Sequence, residues 1–337
     1  VMEYIKRFFQ LQPVVKRENL DVYFDPGLRQ NSSVENLVKM WTKEGIRTVH
    51  VAGWHQYPKY NYDYQRIIRL AHANGMLVYA WLEPPQVNQK FWEQHPEWRE
   101  KNYLGKDVRP SWRYPIALTD EACLKTAIKD YLDFLKAYDW DGVNLGEVYF
   151  EAGKGFSEPE KFTPMHPSAR AEFEKKYGFD MRQVFNKESG YYWQKNPDAK
   201  ADVVNYRVNK IAEIHDRFLQ AIDDYAKTKS GFGVIVTFMD TYFSPEIKEY
   251  HGSSSEKMLE LQKKYHCYLQ PEDPQSKWST DPQRYAEFGK YYADRMAEPE
   301  KLLVDLNILP FRDKNHVTPF PTLIQTGIEA FQMVNSA

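Results

Sequence analysis

The chain has 337 residues, more than a small domain needs and a normal size for one decorated (β/α)8 barrel. Its formal charge of −2 offers no basic excess for nucleic acid, and no apolar run approaches the roughly 18 residues that would span a membrane. Aromatic residues make up 15% of the chain, with 9 Trp and 24 Tyr, a load that serves a large core or the stacking of sugar rings.

Cys123 and Cys267 are the only cysteines, so a disulfide scaffold is excluded. The chain starts on Val with no visible signal peptide, which reads as a mature form or a fragment. Residues 1–20 read as an amphipathic lead-in, and residues 21–337 as a single barrel domain that is truncated or irregularly closed at its C-terminus.

From residue 21 the pattern alternates. A strand over 21–24 runs into Asp25-Pro26-Gly27. Ser33 is a natural N-cap for a helix over 33–43, which Gly45 stops. A second strand, 48–52, ends in Gly53-Trp54-His55, and a helix over 63–73 closes at Asn74-Gly75. The third strand, 76–82, ends in Glu83-Pro84-Pro85 and is followed by a long excursion, 86–120, rich in Trp, Pro and charge. A helix over 121–138 leads to the fourth strand, 142–145, and a second excursion, 148–199. A long helix over 202–227 precedes strand five, 234–238, which ends at Asp240. Further units are a helix over 254–264, strand six over 266–269, a helix over 282–296, strand seven over 302–306 and a helix over 321–335; an eighth strand is not evident. Strand–helix alternation of this kind means parallel strands with helical crossovers. The doubly wound alternative lacks its glycine-rich first turn, since DPGLRQNS follows strand one.

Reacting groups in a (β/α)8 barrel sit where the strands end. Those ends collect Asp25, Trp54, His55, Glu83, Asn144, Glu147, Asp240, Tyr242, Glu272, Asp273, Asp305 and Asn307. Paired carboxylates beside aromatic faces suit glycosidic bond cleavage, in which one carboxyl protonates the leaving oxygen and the other attacks the anomeric carbon or activates water. Glu147, at the close of an apolar strand, reads as the general acid/base. Asp240 and Glu272 are the candidates for its partner, Glu272 being read as held in a turn between two prolines. Asp25, Glu83, Asn144 and Asp273 read as hydrogen-bonding groups for substrate, with Tyr242 beside Asp240; Asp305 and Asn307 read as the same or as internal structural polar groups. Trp54, Tyr149 and Trp278 read as sugar platforms; Trp81, inside its strand, reads as core. Of the histidines, His55 at a strand end is the better ligand candidate than His50 within one. Neither HxxxH nor HExxH occurs, so no catalytic metal and no cofactor is expected, although a metal-dependent hydrolase would remain open if two or three of Asp25, His55, Glu83 and Asp240 converged.

The run LVYAWLEPP, the segment HPEWRE at 95–100 and the run YDWDGVNL resemble the glycosyl-hydrolase-like barrels of the family-10-like group. That group is related to the C-terminal hydrolase barrel of bacterial poly-N-acetylglucosamine-processing proteins. The resemblance covers about residues 20–150. It implies a (β/α)8 fold, a carbohydrate polymer as substrate and an acid after strand four. The family's Asp falls on Gly146 here, and the neighbouring position, often acidic too, is Glu147. The strand is also similar to the chitinase pattern DGxDxDxE, but Asn144 and Gly146 replace acids and the Glu arrives one residue early. Strand alternation then points Glu147 away from the mouth unless the chain bulges or leaves the sheet at Gly146.

The expected function is hydrolysis of a polysaccharide or oligosaccharide by a carboxylate pair in a secreted, periplasmic or surface-bound protein. The alternative is a glycan-binding barrel without catalysis, within a polysaccharide processing or export protein.

Overall fold

The structure is a computed structural model that describes residues 20–27, 32–53, 62–110, 113–272 and 282–304, the side chains of 282–286 excepted. Six parallel strands stand in sequence order: β1 (Asp21–Phe24), β2 (Thr48–Ala52), β3 (Leu77–Leu82), β4 (Gly142–Leu145), β5 (Gly233–Met239) and β6 (Tyr268–Glu272). They curl into a half-barrel with helices outside it, which is the (β/α)8 type expected from the alternation. After β6, Leu302 makes a parallel bridge to Leu269, and the Leu303 amide donates to the Leu269 carbonyl at 2.8 Å. This isolated bridge falls at the start of the expected seventh strand; the rest of that segment and the predicted helix over 321–335 lie outside the described residues.

The crossover helices are α1 (Val34–Glu44), α2 (Tyr64–His72), α4 (Glu121–Ala137), α6 (Pro197–Ala226), α8 (Ser255–Tyr265) and α9 (Pro282–Ala293). The excursions add α3 (Gln89–Gln94), α5 (Pro167–Tyr177) and α7 (Ile247–His251). Local chemistry sets many of these ends. Ser33, Asp63, Asp120, Asn196 and Ser254 cap helices with their side-chain oxygens, and Gly45, Gly178 and Gly252 close α1, α5 and α7 in the left-handed conformation. Strand six runs three residues further than its sequence pattern suggests: Pro271 and Glu272 pair with Phe238 and Met239, so Glu272 ends a strand and does not sit in a turn. Pro271 fits there because a ladder can run past a residue that only accepts.

Alternation along the strands sorts the side chains into two layers. Val78, Ala80, Leu82, Val143, Leu145, Val236 and Phe238 share one core with Leu135, Ile214 and Phe218 of the surrounding helices. The other parity faces the barrel interior. There His50 bonds Asp21 at 3.0 Å, and Tyr23 and His50 both meet the Trp81 ring edge-on. Asn144 donates to Gln270 at 3.1 Å and accepts from Thr237 at 2.8 Å, tying β4, β5 and β6 together across the interior. A second, separate core fills the lobe built from the second excursion and the start of α6, around Phe156, Phe162, Phe173, Met181 and Val203.

No helix among the described residues is long and apolar enough to cross a membrane.

Candidate active site

The interior parity of β3 passes from Tyr79 through Trp81 to Glu83, just beyond the strand end. Glu83 is 5% exposed, and the indole Nε1–H of Trp81 donates to its Oε1 at 2.6 Å. Its Oε2 is buried with no hydrogen-bond partner among the described residues. Burial, and after it the neighbouring charge of Glu147, pushes the Glu83 carboxyl well above the ordinary carboxylate range, against the opposite pull of Arg113 and the Trp81 bond. Asp25, with the interior parity of β1, adds a smaller upward push. Its own carboxylate accepts from the Gly27 amide at 2.7 Å.

Strand β4 stops at Leu145. A Cβ on Gly146 would stand 2.8 Å from Cε2 of the Trp81 ring, so this position takes only glycine while Trp81 keeps its place. Glu147 then adopts φ 51, the left-handed region that a residue with a Cβ enters at a cost of roughly 1–2 kcal/mol. That single torsion removes the alternation problem. The chain leaves the sheet, and the Glu147 carboxylate comes to Arg113 Nη2 at 2.7 Å and within electrostatic reach of Glu83. Tyr149 Oη donates to the same Glu147 Oε2 at 3.2 Å.

Arg113 arrives from the first excursion. Its Nη1 meets Glu151 Oε1 at 3.4 Å, and its guanidinium lies 5.5 Å from the centre of the Tyr149 ring. Burial pulls the guanidinium down, but Glu147, Glu83 and Glu151 together outweigh it and raise it overall. Burial raises the Glu151 carboxyl. His251, at the end of α7, stands edge-on to Tyr149 at 4.8 Å; burial pushes its imidazole down to about 4, so it is neutral.

Several sequence expectations change here. Asp240 does not point into the mouth. It continues the outward parity of Val236 and Phe238 and is fully buried on the helix side. There it accepts from the Tyr242 and Phe243 amides at 3.1 and 2.8 Å and from Tyr292 Oη at 2.5 Å. It organises the loop after β5 and the packing of α9. Asn144 has the right parity but sits one layer below the mouth, fully buried and committed to Gln270 and Thr237. Tyr149 is not an open platform: 4% exposed, it packs on Met239 and Ile247 and orients Glu147. Tyr242 is 50% exposed and stacks on Tyr291 of α9 at 3.5 Å. Trp81 is buried as expected, but its polar edge serves Glu83.

Glu272 keeps the interior parity of Gln270 and is 5% exposed. Trp54, His55, Asp273, Trp278, Asp305 and Asn307 lie outside the described residues. Among the described residues no group of three metal-ligating side chains converges. Arg113, Glu151 and His251 had no signal in the sequence: each belongs to an excursion or a short helix and reaches the site only through the tertiary fold.

No protein-family profile matches the sequence, nor does any curated protein. Solved structures do match in fold. The glycoside hydrolase domain of PgaB (BpsB) from Bordetella bronchiseptica is 13% identical, with a TM-score of 0.63 over 93% of this chain and 90% of that one. This chain shares the barrel fold of that domain. The catalytic domain of a β-amylase from Paenibacillus polymyxa gives 8% identity and a TM-score of 0.60, over 95% of this chain and 90% of that one. A β-galactosidase from the psychrophilic Marinomonas ef1 gives 11% and 0.59, over 93% of this chain and 52% of that one. The chain thus spans about half the length of that β-galactosidase. At such identities the likeness is one of fold.

Proposed function

We propose that this barrel is a glycoside hydrolase acting on a polysaccharide, with Glu83 and Glu147 as its two carboxylates. The observation that carries the reading is their contrast on adjacent strands. Glu83 is buried, with Trp81 as its one donor among the described residues, and its burial pushes its carboxyl well above the ordinary carboxylate range. Glu147 faces a guanidinium at 2.7 Å, the counter-charge of an ionised carboxylate. Two neighbouring carboxyl groups in unlike surroundings are how an acid and a base are made from one residue type.

In this scheme Glu83 delivers its proton to the glycosidic oxygen as the bond to the anomeric carbon breaks. Glu147 attacks that carbon or takes a proton from the attacking water. The general-acid role that the sequence suggested for Glu147 thereby passes to Glu83, and Glu147 becomes the charged partner. The interior parity of Glu272 and Asp25 supports a role for them in bonding substrate hydroxyls. The fold likeness to glycoside hydrolases supports a carbohydrate substrate, and a polymer substrate would put the protein outside the cytoplasm: secreted, periplasmic or on the cell surface.

A second reading is a barrel that binds glycans without cleaving them. The engagement of Glu147 Oε2 by both Arg113 and Tyr149 favours it, as does the absence of an acid at Gly146.

Incubation of the wild type, Glu83→Gln and Glu147→Gln with a panel of oligosaccharides separates the two. Mass spectrometry reads cleavage and calorimetry reads binding. The hydrolase reading expects the wild type to cleave at least one sugar. Each variant should bind that sugar with near-native affinity and cleave it about 100- to 10,000-fold more slowly. Equal binding by all three with no cleavage would leave the binding barrel.

A further inference from the structure

The pair is not completed by the barrel alone. Its cation, Arg113, comes from the first excursion, which is clamped to the loop that follows Glu83. The Val87 amide donates to the Tyr114 carbonyl at 3.2 Å and the Ile116 amide to the Pro85 carbonyl at 3.0 Å, on either side of a Gln86–Pro115 bridge. Arg113 therefore stands on a segment registered to Glu83, while its guanidinium reaches Glu147 and Glu151 beyond β4.

We propose that Arg113 is the positioning residue of the pair: it holds Glu147 as the charged, oriented carboxylate and so leaves Glu83 as the proton donor. This rests on the hydrolase reading for its catalytic meaning, but the division of charge between the two carboxyls can be measured without it. Among the described residues, the charged and titratable groups around Arg113 include Glu147, Glu83 and Glu151, with His251 from α7 beside them; Asp25 acts on Glu83, and Arg207 on Glu151. Arg113 is thus a cation set among carboxylates, and removing it takes its charge away from two neighbouring acids. Two such acids titrate as a pair, in two macroscopic steps. The guanidinium favours the first ionisation by its charge, and with Tyr149 it fixes the Glu147 carboxylate at Oε2.

The test is a carbon-13 NMR titration of glutamate-labelled full-length protein, with the two carboxyls assigned through Glu83→Gln and Glu147→Gln. Wild type and Arg113→Gln are compared. The lower step of the pair should rise by roughly 1–3 pH units in Arg113→Gln. On a cleaved sugar, kcat should fall about 100-fold with KM little changed. The acid limb of its pH profile should move upward with the lower step, a displacement that a merely structural arginine would not produce. In the wild type itself, the Arg113 Nη resonances should shift through the same lower step, which keeps the test open if Arg113→Gln does not fold.

A lower step that stays in place on substitution overturns the proposal, as do Arg113 resonances indifferent to it. Absence of cleavage by the wild type, with the NMR shifts as expected, would count against the hydrolase reading and leave the charge assignment standing.

Discussion

Gly146 and Trp81 share one volume. The acid that the resemblance would place at position 146 has no room there, because its Cβ alone would come within 2.8 Å of the indole. The chain instead carries its carboxylate one residue later and turns it inward through the left-handed φ of Glu147. A residue with a side chain persists in that conformation when its surroundings hold it, and here the Arg113 pair and the Tyr149 bond do so. Gly146→Ala should therefore cost about 1–3 kcal/mol in denaturant unfolding, because the indole must yield. On the hydrolase reading it should also slow cleavage, since a displaced indole loosens its bond to Glu83. Tryptophan fluorescence checks the displacement directly: an emission spectrum identical to the wild type's, with full stability, would show that the indole has space to spare. The acid at position 147 was legible in the sequence. Its direction was not, because one torsion outside the strand reverses what alternation predicts.

At the scale of elements, the two excursions are joined by a buried carboxylate. Glu100, from the HPEWRE segment, lies between them. Its Oε1 accepts from the amides of Lys101 at 2.8 Å, Met165 at 3.1 Å and His166 at 3.0 Å, the last two belonging to the second excursion. Burial outweighs these bonds and pushes the carboxyl up to about 7 from an ordinary 4.5. A carboxyl raised on folding binds its proton more tightly in the native state. Its contribution is therefore full below pH 4.5 and is lost as the pH climbs to about 7. Glu100→Gln has no proton to lose, so between those two pH values the wild type should lose up to about 3 kcal/mol relative to the variant in urea unfolding. Parallel pH dependences for the two proteins would show that Glu100 stays charged. The sequence marked this segment through its resemblance, but Met165 and His166 are more than sixty residues away and nothing local announces the contact.

For the molecule as a whole, two cores matter. The barrel core is continuous across β1 to β6 and their helices, whereas the buried lobe core around Phe173 is a separate cluster drawn from residues 152–206. Arg207 joins them. It is fully buried, and its guanidinium donates to the carbonyls of Thr163, Phe150, Glu151, Glu249 and Tyr250, so one side chain fastens the lobe to the loops after β4 and β5. Phe173→Ala should cost about 3–5 kcal/mol, and the loss should fall on the lobe. Limited proteolysis should then cut within residues 152–206 first, while the amides of Val143 and Val236 keep their protection from hydrogen exchange. Loss of protection in both regions together would mean that the two cores unfold as one.

The sequence by itself determined the fold class, the order and nearly the bounds of the first five strands, and a cluster of acids at their ends. It could do so because caps, glycine stops and buried apolar runs act over a few residues. Only the tertiary structure decided which acids meet. Strand parity sends Asp240 to the helix side and Glu83 to the interior, and the Glu147 torsion brings that residue back to join Glu83. Arg113 then comes in from an excursion to supply their cation. The physical reason is range. A strand end is written in its own residues, but a carboxyl's charge is set by burial and by neighbours that other parts of the chain deliver.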